Sequence, residues 1–231
     1  MAIDKQKWPD SIVIVRHGES LKNVERARVE QFDSNKLKLD ITDRDMDIPL
    51  SERGEWQAIA TGKALKRRQK FDVVFVSPYV RCRQTADLII ERLGYTPKVV
   101  IEERLREKEF GVIDNLTKKG IEKFYPDEWA RRQRDGKYYY RPAGGESYPD
   151  VGMRVHSFLS TLARDYRKKR VLIVCHSVVV KVFRKLLERL EEKDILAIDQ
   201  TEDVSNASVT TYSYETKEEK LRLKEYNRKF Y

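Results

Sequence analysis

Two of the three histidines in this 231-residue chain closely follow apolar runs that have the composition of buried strands. His17 comes after the run 12–15, and His176 comes directly after the run 171–175. Ligands of open α/β sheets bind beyond the carboxyl ends of the strands, so the two imidazoles are predicted to face each other across one crevice. His156 lies within a predicted helix and is interpreted as a structural residue.

Two arginines bring positive charge to the same predicted edge. Arg16 precedes His17, and Arg81 lies near the predicted start of a helix, after the strand-like run 73–76 and a Ser-Pro break. A guanidinium group beside a helix N-terminus can bind two phosphate oxygens at once. No acidic triplet with metal-ligand spacing accompanies these residues in the sequence, which favours a substrate phosphate over a carboxylate-held metal. We therefore expect neither a metal nor a cofactor.

The order of the apolar segments predicts the fold that positions these residues. Four continuously apolar runs indicate strands covered on both faces: 12–15, 73–76, 99–101 and 171–174. Apolar residues at helical spacing indicate four helices, around 56–64, 86–93, 151–166 and 178–190. Strands that alternate with helices predict an α/β protein, a three-layer αβα sandwich with a mainly parallel sheet. Residues 208–214 and 220–226 predict a terminal antiparallel hairpin.

Other segments interrupt this pattern. Residues 24–47 have poor apolar periodicity, and we expect a long loop or a small excursion there. The acidic run 43–47 has a metal-like composition but is interpreted as a solvated loop. Residues 118–141 combine eight Lys and Arg residues with four Asp and Glu residues and several aromatic residues, which predicts a helical cap. We expect one domain over residues 1–231 with a cap insertion at about 112–148, whose aromatic residues pack on the domain rather than on nucleic acid.

Composition narrows the classes of partner and the compartment. Forty-seven Lys and Arg residues against 38 Asp and Glu residues give a net charge of +9, which attracts nucleic acid, anionic lipid and phosphorylated small molecules alike. No apolar run approaches the roughly 20 residues that cross a bilayer, and residues 1–10 lack the apolar core of a signal peptide. The two cysteines lack metal-ligand spacing. We expect a cytoplasmic protein with a small phosphorylated substrate, no membrane partner and no nucleic acid partner, in an oligomeric state that the sequence leaves open.

The residues around these positions resemble six motifs of the histidine phosphatase superfamily, which is also called phosphoglycerate mutase-like. The matching segments follow the family's order from about residue 11 to residue 183: Arg16-His17-Gly18-Glu19-Ser20 with Asn23, Pro49-Leu50-Ser51-Glu52-Arg53-Gly54 with Gln57-Ala58, Ser77-Pro78 through Arg81 to Gln84-Thr85-Ala86, Leu105-Arg106-Glu107 with Phe110-Gly111, Gly144-Gly145-Glu146-Ser147 with Arg154, and His176. Six motifs in one order make a chance match improbable.

The resemblance implies a role for each matching residue. His17 would be the nucleophile that accepts the phosphoryl group. Four further residues would line the phosphate pocket: Arg16, Arg81, His176 and Asn23. Glu107 would donate a proton to the leaving oxygen and later deprotonate the attacking water. Elementary chemistry agrees, because a neutral imidazole is a competent nucleophile and cationic donors stabilise the charge on the phosphoryl oxygens.

Two departures from the family pattern concern substrate fit. Ser177 stands where a glycine usually follows the second histidine, and residues 112–115 replace a Trp-Glu-Gly cluster. Arg131 and Arg132 could imitate the arginine pair with which phosphoglycerate mutases hold a second anionic group. We predict a phosphatase that hydrolyses phosphomonoesters through a phosphohistidine at His17. Phosphoglycerate mutase-type phosphoryl transfer and a non-catalytic phosphate-binding module stay open as alternatives, and the physiological substrate is not indicated.

Overall fold

A six-stranded sheet forms the centre of the molecule in the computed structural model, which describes residues 6–201 and 203–231. The strands, in the spatial order β3-β2-β4-β1-β5-β6, are β1 (Ser11–Arg16), β2 (Val73–Val76), β3 (Lys98–Ile101), β4 (Arg170–Cys175), β5 (Val209–Glu215) and β6 (Lys220–Arg228). Strands β1 to β4 pair in parallel, whereas β5 and β6 form an antiparallel hairpin at one edge. The predicted parallel sheet and terminal hairpin are confirmed.

Helices cover both faces of this sheet. They are α1 (Leu21–Phe32), α2 (Glu52–Lys66), α3 (Val80–Leu93), α4 (Lys118–Phe124), α5 (Pro126–Tyr139), α6 (Tyr148–Asp165), α7 (Ser177–Glu188) and α8 (Glu192–Thr201). Helices α4 and α5 occupy most of the segment that the sequence predicts to be a helical cap, and α5 bends at Gly136, whose φ is +71°. No helix in the described parts of the chain is long and apolar enough to cross a membrane.

Alternation along the strands divides the interior into two cores. Ile12 and Ile14 of β1 face one core, which contains the apolar residues of α6 and α7. Val13 and Val15 face the other core, which contains the apolar side of α3 and Leu65 of α2. Since successive strand residues point to opposite faces, a run buried on both sides must be apolar throughout. The three-layer αβα sandwich follows from these runs and is confirmed.

The strand register places the two histidines side by side. Arg16 is the register partner of Cys175 in the parallel pair of β1 and β4, so the next residues, His17 and His176, leave the sheet together. The backbone amide of His17 donates to the carbonyl of Cys175 at 2.9 Å. Strand β2 lies on the other side of β4, and its exit, Ser77, donates its amide to Val174 at 3.0 Å. Three strand ends thus converge on one edge, as the sequence predicts.

Two local predictions are wrong. Strand β3 is an edge strand, and its Val99 and Ile101 are 46% and 50% exposed rather than covered on both faces. Residues 24–47 are predicted to form a long loop or a small excursion, and the loop is wrong for residues 24–32, which lie in helix α1, although Val29 is its only buried apolar residue. Ser20 and Asn23 form a capping box at its start, so the helix depends on local capping rather than on an apolar face.

The aromatic residues of the cap segment divide into two groups. Tyr138 and Tyr140 are buried against the domain, and Trp129 packs on a small cluster around Ile113, as expected. Phe124 and Tyr139 are instead more than half exposed, at 52% and 59%. The prediction that the cap aromatics pack on the domain therefore holds for only some of them.

Candidate active site

His17 is buried and its tautomer is fixed by its own loop. It is 4% exposed, and its Nδ1 lies 2.7 Å from the carbonyl oxygen of Gly18. A carbonyl can only accept, so Nδ1 carries the hydrogen and Nε2 keeps a free lone pair. Burial, with further contributions from Arg81 and Arg16, holds the pKa of His17 well below its usual range. The imidazole is therefore neutral, with one ring nitrogen available as a nucleophile.

His176 lies beside His17 at the start of α7. The two ring centroids are 5.2 Å apart, with the planes inclined at 64°. His176 is fully buried, its Nε2 lies 2.8 Å from Ser77 Oγ, and Cys82 Sγ is 3.4 Å from the same nitrogen. Burial, Arg81 and His17 hold the pKa of His176 well below its usual range. The structure thus brings the second predicted histidine to the site in its neutral form.

Arg16 and Arg81 are almost completely buried around the histidines, at 8% and 4% exposure. Arg16 donates to the carbonyl of Val204 and lies 3.4 Å from Asp203 Oδ2. Its Nε is buried and has no hydrogen-bond partner among the residues that the structure describes, which leaves a donor for an anion. Arg81 directs both terminal nitrogens at Asp45, with 3.0 Å between Nη2 and the carboxylate.

Two glycines allow the loop that carries His17 to fold back on α2. A Cβ on Gly18 would come within 2.4 Å of the Gly54 carbonyl oxygen, and one on Gly54 within 2.0 Å of the Glu19 carbonyl oxygen. Thr85 Oγ1 accepts the amide of Gly18 at 3.0 Å and donates to the carbonyl of Arg81 at 2.7 Å. Gly18, Gly54 and Thr85 come from three of the sequence motifs. Their contacts join the loop that carries His17 to α2 and to α3, the helix that carries Arg81.

Asn23, the predicted phosphate ligand on α1, lies at the rim of the same loop. Its Oδ1 accepts from the amide of Ser20 at 3.1 Å and from Asn206 Nδ2 at 3.2 Å. Asn206 Nδ2 also lies 3.2 Å from the carbonyl oxygen of His17. The Nδ2 group of Asn23 has no hydrogen-bond partner within residues 6–201 and 203–231, so it is free to donate to a ligand.

Glu107 approaches this cluster from the segment between β3 and α4. Its side chain is half-buried, and its Oε1 accepts the amide of Lys108 at 2.8 Å. Burial raises the pKa of Glu107 above its usual range, against the opposing effects of that amide, Arg81 and Arg16. Glu109, the neighbouring carboxylate in the sequence, is exposed. A carboxyl group with a raised pKa, close enough to Arg16 and Arg81 to be influenced by both, suits general acid catalysis.

Arg154 holds the Glu107 segment in place. It donates to the carbonyls of Arg104 and Glu107 at 2.7 and 3.1 Å, and it pairs with Glu146 at 2.9 Å. Glu146 in turn accepts the amide of Glu109 at 3.0 Å. The Gly-Gly-Glu-Ser motif with its distant arginine therefore acts as a clamp on the acid segment.

A cavity of about 770 Å³ adjoins the cluster beneath α4 and α5. Its lining includes Ser177, which follows His176 in the sequence, and Asp203, which pairs with Arg16. Lys108 and Arg132 also line it. Lys108 is 6% exposed and packs on the ring of Phe110, with 4.6 Å between its Nζ and the ring centroid. Burial lowers the pKa of Lys108 to about 8.

The predicted arginine pair of the cap does not act as a pair. Arg131 bonds to Glu128 at 2.9 Å and to the carbonyl of Arg141 at 3.0 Å, and it does not line the cavity. Arg132 does line it, and in the described chain neither Arg132 nor Lys108 has an ion-pair or hydrogen-bond partner for its side chain. The structure thus places one of the two arginines at the cavity and replaces the other with a lysine that sequence reasoning missed.

Sequence reasoning also missed a network of charges beside Arg81. Asp45 lies 2.8 Å from Lys22 Nζ as well as 3.0 Å from Arg81, and Asp114 lies 2.7 Å from the same lysine nitrogen. The interpretation of the run 43–47 as a solvated loop is therefore wrong for Asp45, although Asp43 is exposed. His156, by contrast, takes no part in the site and lies on the exposed side of α6.

Comparison with known proteins identifies the family to which this arrangement belongs. A family model for branch 1 of the histidine phosphatase superfamily matches residues 12–228. The chain belongs to this superfamily. The resemblance inferred from the six motifs is thereby confirmed, and with it membership of a phosphatase family.

Individual members of the superfamily are similar over most of the chain. A 2,3-bisphosphoglycerate-dependent phosphoglycerate mutase of Methylobacterium radiotolerans is 32% identical over 188 residues, which cover 80% of this chain and 82% of that protein. A phosphoglycerate mutase-like protein of Arabidopsis thaliana is 31% identical, with coverage of 79% and 67%.

Solved structures of the superfamily include hydrolases with the same fold. The complex of mycobacterial glucosyl-3-phosphoglycerate phosphatase with inorganic phosphate superposes with a TM-score of 0.70 at 27% identity, covering 95% of this chain and 98% of that one. A structure described as mycobacterial hydrolase 1 has a TM-score of 0.72 at 27% identity, covering 95% and 99%. The sequence relatives thus carry mutase names, whereas these structural neighbours carry phosphatase and hydrolase names.

Proposed function

We propose that the protein hydrolyses phosphomonoesters through a phosphohistidine at His17. The observation that carries the proposal is a neutral, buried imidazole with a free Nε2, enclosed by two buried guanidinium groups. A nucleophile that is uncharged at neutral pH, next to fixed positive charges, suits attack on a phosphate dianion. A non-catalytic binding module would need the arginines but not this nucleophile and a separate acid.

The reaction proceeds in two displacements on phosphorus. In the first, His17 Nε2 forms a bond to phosphorus while the bond to the ester oxygen breaks, and Glu107 gives its proton to that oxygen. The phosphoryl oxygens are stabilised by donors from Arg16, Arg81, Asn23 and His176. In the second, Glu107 removes a proton from water, whose oxygen attacks phosphorus and releases His17 and inorganic phosphate.

Glu107 rather than Glu109 is the proposed proton donor. Its carboxyl group is half-buried and close enough to Arg16 and Arg81 for both to influence its pKa. Glu109 is exposed, and its backbone amide and carbonyl both bond to Glu146. A proton donor must lie within reach of the leaving oxygen and be protonated when it arrives, conditions that Glu107 fits better.

We also propose that the substrate is a small phosphomonoester that carries a second anionic group. Lys108 and Arg132 present unpaired cationic groups to the cavity next to the catalytic cluster. Lys108 forms no direct ion pair among the described residues, although the charges of Glu107 and Glu146 favour its protonated form. Burial of a charge without a direct partner is costly, and a carboxylate or phosphate on the substrate would supply that partner. Lys108 directly follows Glu107 in the chain and lines the adjoining cavity, which supports one substrate that reaches both residues, with its ester oxygen at Glu107 and its second anionic group at Lys108.

The proposed function is tested by release of inorganic phosphate from a panel of phosphomonoesters without added metal. We expect 3-phosphoglycerate to be hydrolysed with a lower KM than glycerol 3-phosphate, which has a neutral hydroxymethyl group in place of the carboxylate. The purified His17→Gln variant serves as the background control. Absence of phosphate release from every ester, with the folded protein still binding phosphate, would favour the non-catalytic module.

A mutase activity is the second candidate, and the same two cations favour it. A mutase must hold both anionic groups of a bisphosphate while the phosphoryl group moves between hydroxyls, and Lys108 and Arg132 provide a second anion site. Interconversion of 2- and 3-phosphoglycerate, followed with and without 2,3-bisphosphoglycerate, decides between the two. We expect phosphate release to exceed isomer formation.

Domain organisation and compartment complete the proposal. We infer a single domain with residues 112–148 as its cap, because α4 and α5 lie over the cavity beside the catalytic cluster. We also propose a cytoplasmic location, in keeping with two buried, unpaired thiols at Cys82 and Cys175. The sequence analysis predicts that residues 1–10 do not form a signal peptide. Residues 1–5 of that segment lie outside the described parts of the chain.

A further inference from the structure

Asp45 is hydrogen-bonded to the guanidinium group of Arg81, which is proposed to bind phosphate. Its carbonyl oxygen accepts from Arg81 Nη1, and its carboxylate Oδ2 accepts from Nη2 at 3.0 Å. One residue thus takes up both terminal nitrogens of the arginine fork, the arrangement in which arginine binds two oxygens of a phosphate. The backbone carbonyl oxygen and one carboxylate oxygen of Asp45 together take the place at Arg81 that two oxygens of a phosphoryl group would fill.

The carboxylate is drawn into the site by a second cation. Asp45 Oδ1 lies 2.8 Å from Lys22 Nζ, and Lys22 is itself 8% exposed and paired with Asp114 at 2.7 Å. Burial acts to raise the pKa of Asp45, but Arg81 and Lys22 outweigh it and the pKa lies below its usual range. Asp45 is therefore an anion, and it contributes negative charge close to Glu107, whose pKa it helps to raise.

Asp45 lies on a short, partly exposed segment between two buried apolar residues. Leu39 and Ile48 are buried on either side, at 5% and 1% exposure. The residues between them are half-buried or exposed, and Asp45 begins a single 3₁₀ turn, Asp45–Asp47, with no side-chain cap. A short turn of this kind can move without disturbing the core.

We propose that Asp45 is an internal anion that competes with the phosphoryl group for Arg81, leaves the guanidinium when a phosphomonoester binds, and returns to it when inorganic phosphate departs. This inference rests on the proposed function only in taking the surroundings of His17 and Arg81 as a phosphate pocket. It makes Asp45 a residue that sets affinity at this pocket. Without such a competitor, a pocket with buried arginines would hold its product phosphate tightly, so Asp45 also limits product inhibition.

The opposite role for Asp45 is that of a positioning residue, which holds the Arg81 fork in the orientation that phosphate requires. The two roles predict opposite changes in phosphate affinity when Asp45 is replaced. Removal of a competitor strengthens phosphate binding, whereas removal of a positioning residue weakens it. The sign of the change in phosphate affinity therefore decides between them, independently of any catalytic turnover.

The experiment measures equilibrium binding of inorganic phosphate and of orthovanadate by calorimetry to the wild-type protein and to Asp45→Asn and Asp45→Ala. The matched control is Asp47→Asn, which makes the same change in net charge as Asp45→Asn and lies on the same turn. Among the described residues, Asp47 forms an ion pair only with Arg44, at 2.6 Å. Thermal unfolding of each variant reports whether it is folded.

We expect both Asp45 variants to bind phosphate about tenfold more tightly than the wild type, a change of about 1.4 kcal/mol, and Asp47→Asn to bind it with unchanged affinity. In an Arg81→Met background, the gain from Asp45→Asn should disappear. Weaker or unchanged binding by folded Asp45→Asn and Asp45→Ala, or an equal gain in Asp47→Asn, would overturn the inference.

These outcomes are separate from those that test the proposed function. A protein that releases no phosphate from esters but shows tighter phosphate binding in the Asp45 variants would refute hydrolysis and retain the competitor. A protein that hydrolyses esters but binds phosphate more weakly in both Asp45 variants would retain hydrolysis and refute the competitor. Stronger product inhibition by phosphate in an active Asp45→Asn enzyme is the kinetic counterpart of the expected result.

Discussion

The cluster around His17 and the cavity beside it differ in how their charged groups are satisfied. At the cluster, Arg16 and Arg81 are buried and bonded to Val204, Asp203 and Asp45. At the cavity, Lys108 is buried and forms no direct ion pair among the described residues, although Glu107 and Glu146 are near enough to influence its pKa. In the first region, groups of the protein itself already bond the charged side chains before any ligand arrives, with Asp45 at Arg81 as the anion that we propose a phosphoryl group displaces. In the second region, a ligand would supply the missing partner.

We propose that the cluster around His17 carries out the reaction and that the cavity selects the substrate. The proposed mechanism needs a nucleophile aligned with its donors, and strand ends, tight glycine contacts and hydrogen bonds at the sheet edge would supply that alignment. The cavity lies under α4 and α5, and its lining includes Lys108 and Arg132 but not His17. In the proposed function, these cations bind a second anionic group away from the scissile bond. Variants of the cluster should therefore affect every ester, whereas variants of the cavity should distinguish esters by their second charge.

The largest leaving-group-dependent effect is expected from Glu107→Gln. General acid catalysis typically contributes about 10²–10⁴-fold, so hydrolysis of glycerol 3-phosphate should fall by about that factor. Hydrolysis of nitrophenyl phosphate should change much less, because nitrophenolate departs without a proton. Steady-state kcat/KM for the two esters measures the contrast. Glu109→Gln is the matched control, and a leaving-group-dependent loss in Glu109→Gln with a near-normal Glu107→Gln would reassign the acid.

Lys108→Met tests the cavity as the specificity region. A hydrogen bond to a charged group contributes about 1.5–3 kcal/mol, so kcat/KM for 3-phosphoglycerate should fall by about 10- to 100-fold. The value for glycerol 3-phosphate should change by less than about threefold, since it brings no second anion to the lysine. Equal losses on both esters would show that Lys108 serves the catalytic cluster, and the contrast between the two regions would then fail.

Arg132→Met should have the same selectivity and a smaller magnitude. Arg132 is half-buried rather than buried, and screened charge pairs contribute less than desolvated ones. We expect about a three- to tenfold loss of kcat/KM on 3-phosphoglycerate and little change on glycerol 3-phosphate. Arg134→Met, on the same helix but paired with Asp135 at the surface at 2.7 Å, is the control and should match the wild type on both esters.

The smallest predicted effect is a pH dependence confined to the cavity. Burial lowers the pKa of Lys108 to about 8, so its charge is present below that pH and is lost as the pH rises through it. The KM for 3-phosphoglycerate should rise several-fold between about pH 7 and pH 9, and that for glycerol 3-phosphate should not follow it. Lys108→Met should remove the difference between the two profiles; a difference that persists in the variant would assign it to another group.

Sequence reasoning located four residues of the cluster because each follows an apolar run: Arg16, His17, Arg81 and His176. Asn23 and Glu107 were assigned only through the resemblance to the family. The strands before His17 and His176 are buried on both faces, so their ends could be read from composition, and parallel pairing then brought the two histidines together. The same reasoning failed for β3, whose Val99 and Ile101 have strand composition at an exposed edge.

The charged network beside Arg81 could not be predicted in this way. The network joins residues that are far apart in the sequence. Lys22 of helix α1 pairs with Asp45 of a 3₁₀ turn, 23 positions away, and with Asp114 of a loop, 92 positions away. Helix α1 was missed because its apolar face is reduced to Val29, although Ser20, three residues before Asn23, is the capping signal that could have revealed it. Loops place charges by tertiary contacts, which periodicity does not record.

The most direct test of the account is to trap the covalent intermediate. The wild-type protein is mixed with phosphate-labelled 3-phosphoglycerate and with labelled nitrophenyl phosphate, quenched during the first turnover, and digested for peptide mass spectrometry. We predict one acid-labile, base-stable phosphoryl adduct on His17, formed from both esters and missing in His17→Gln. An adduct on another residue, or turnover of either ester by folded His17→Gln at the wild-type rate, would contradict the account.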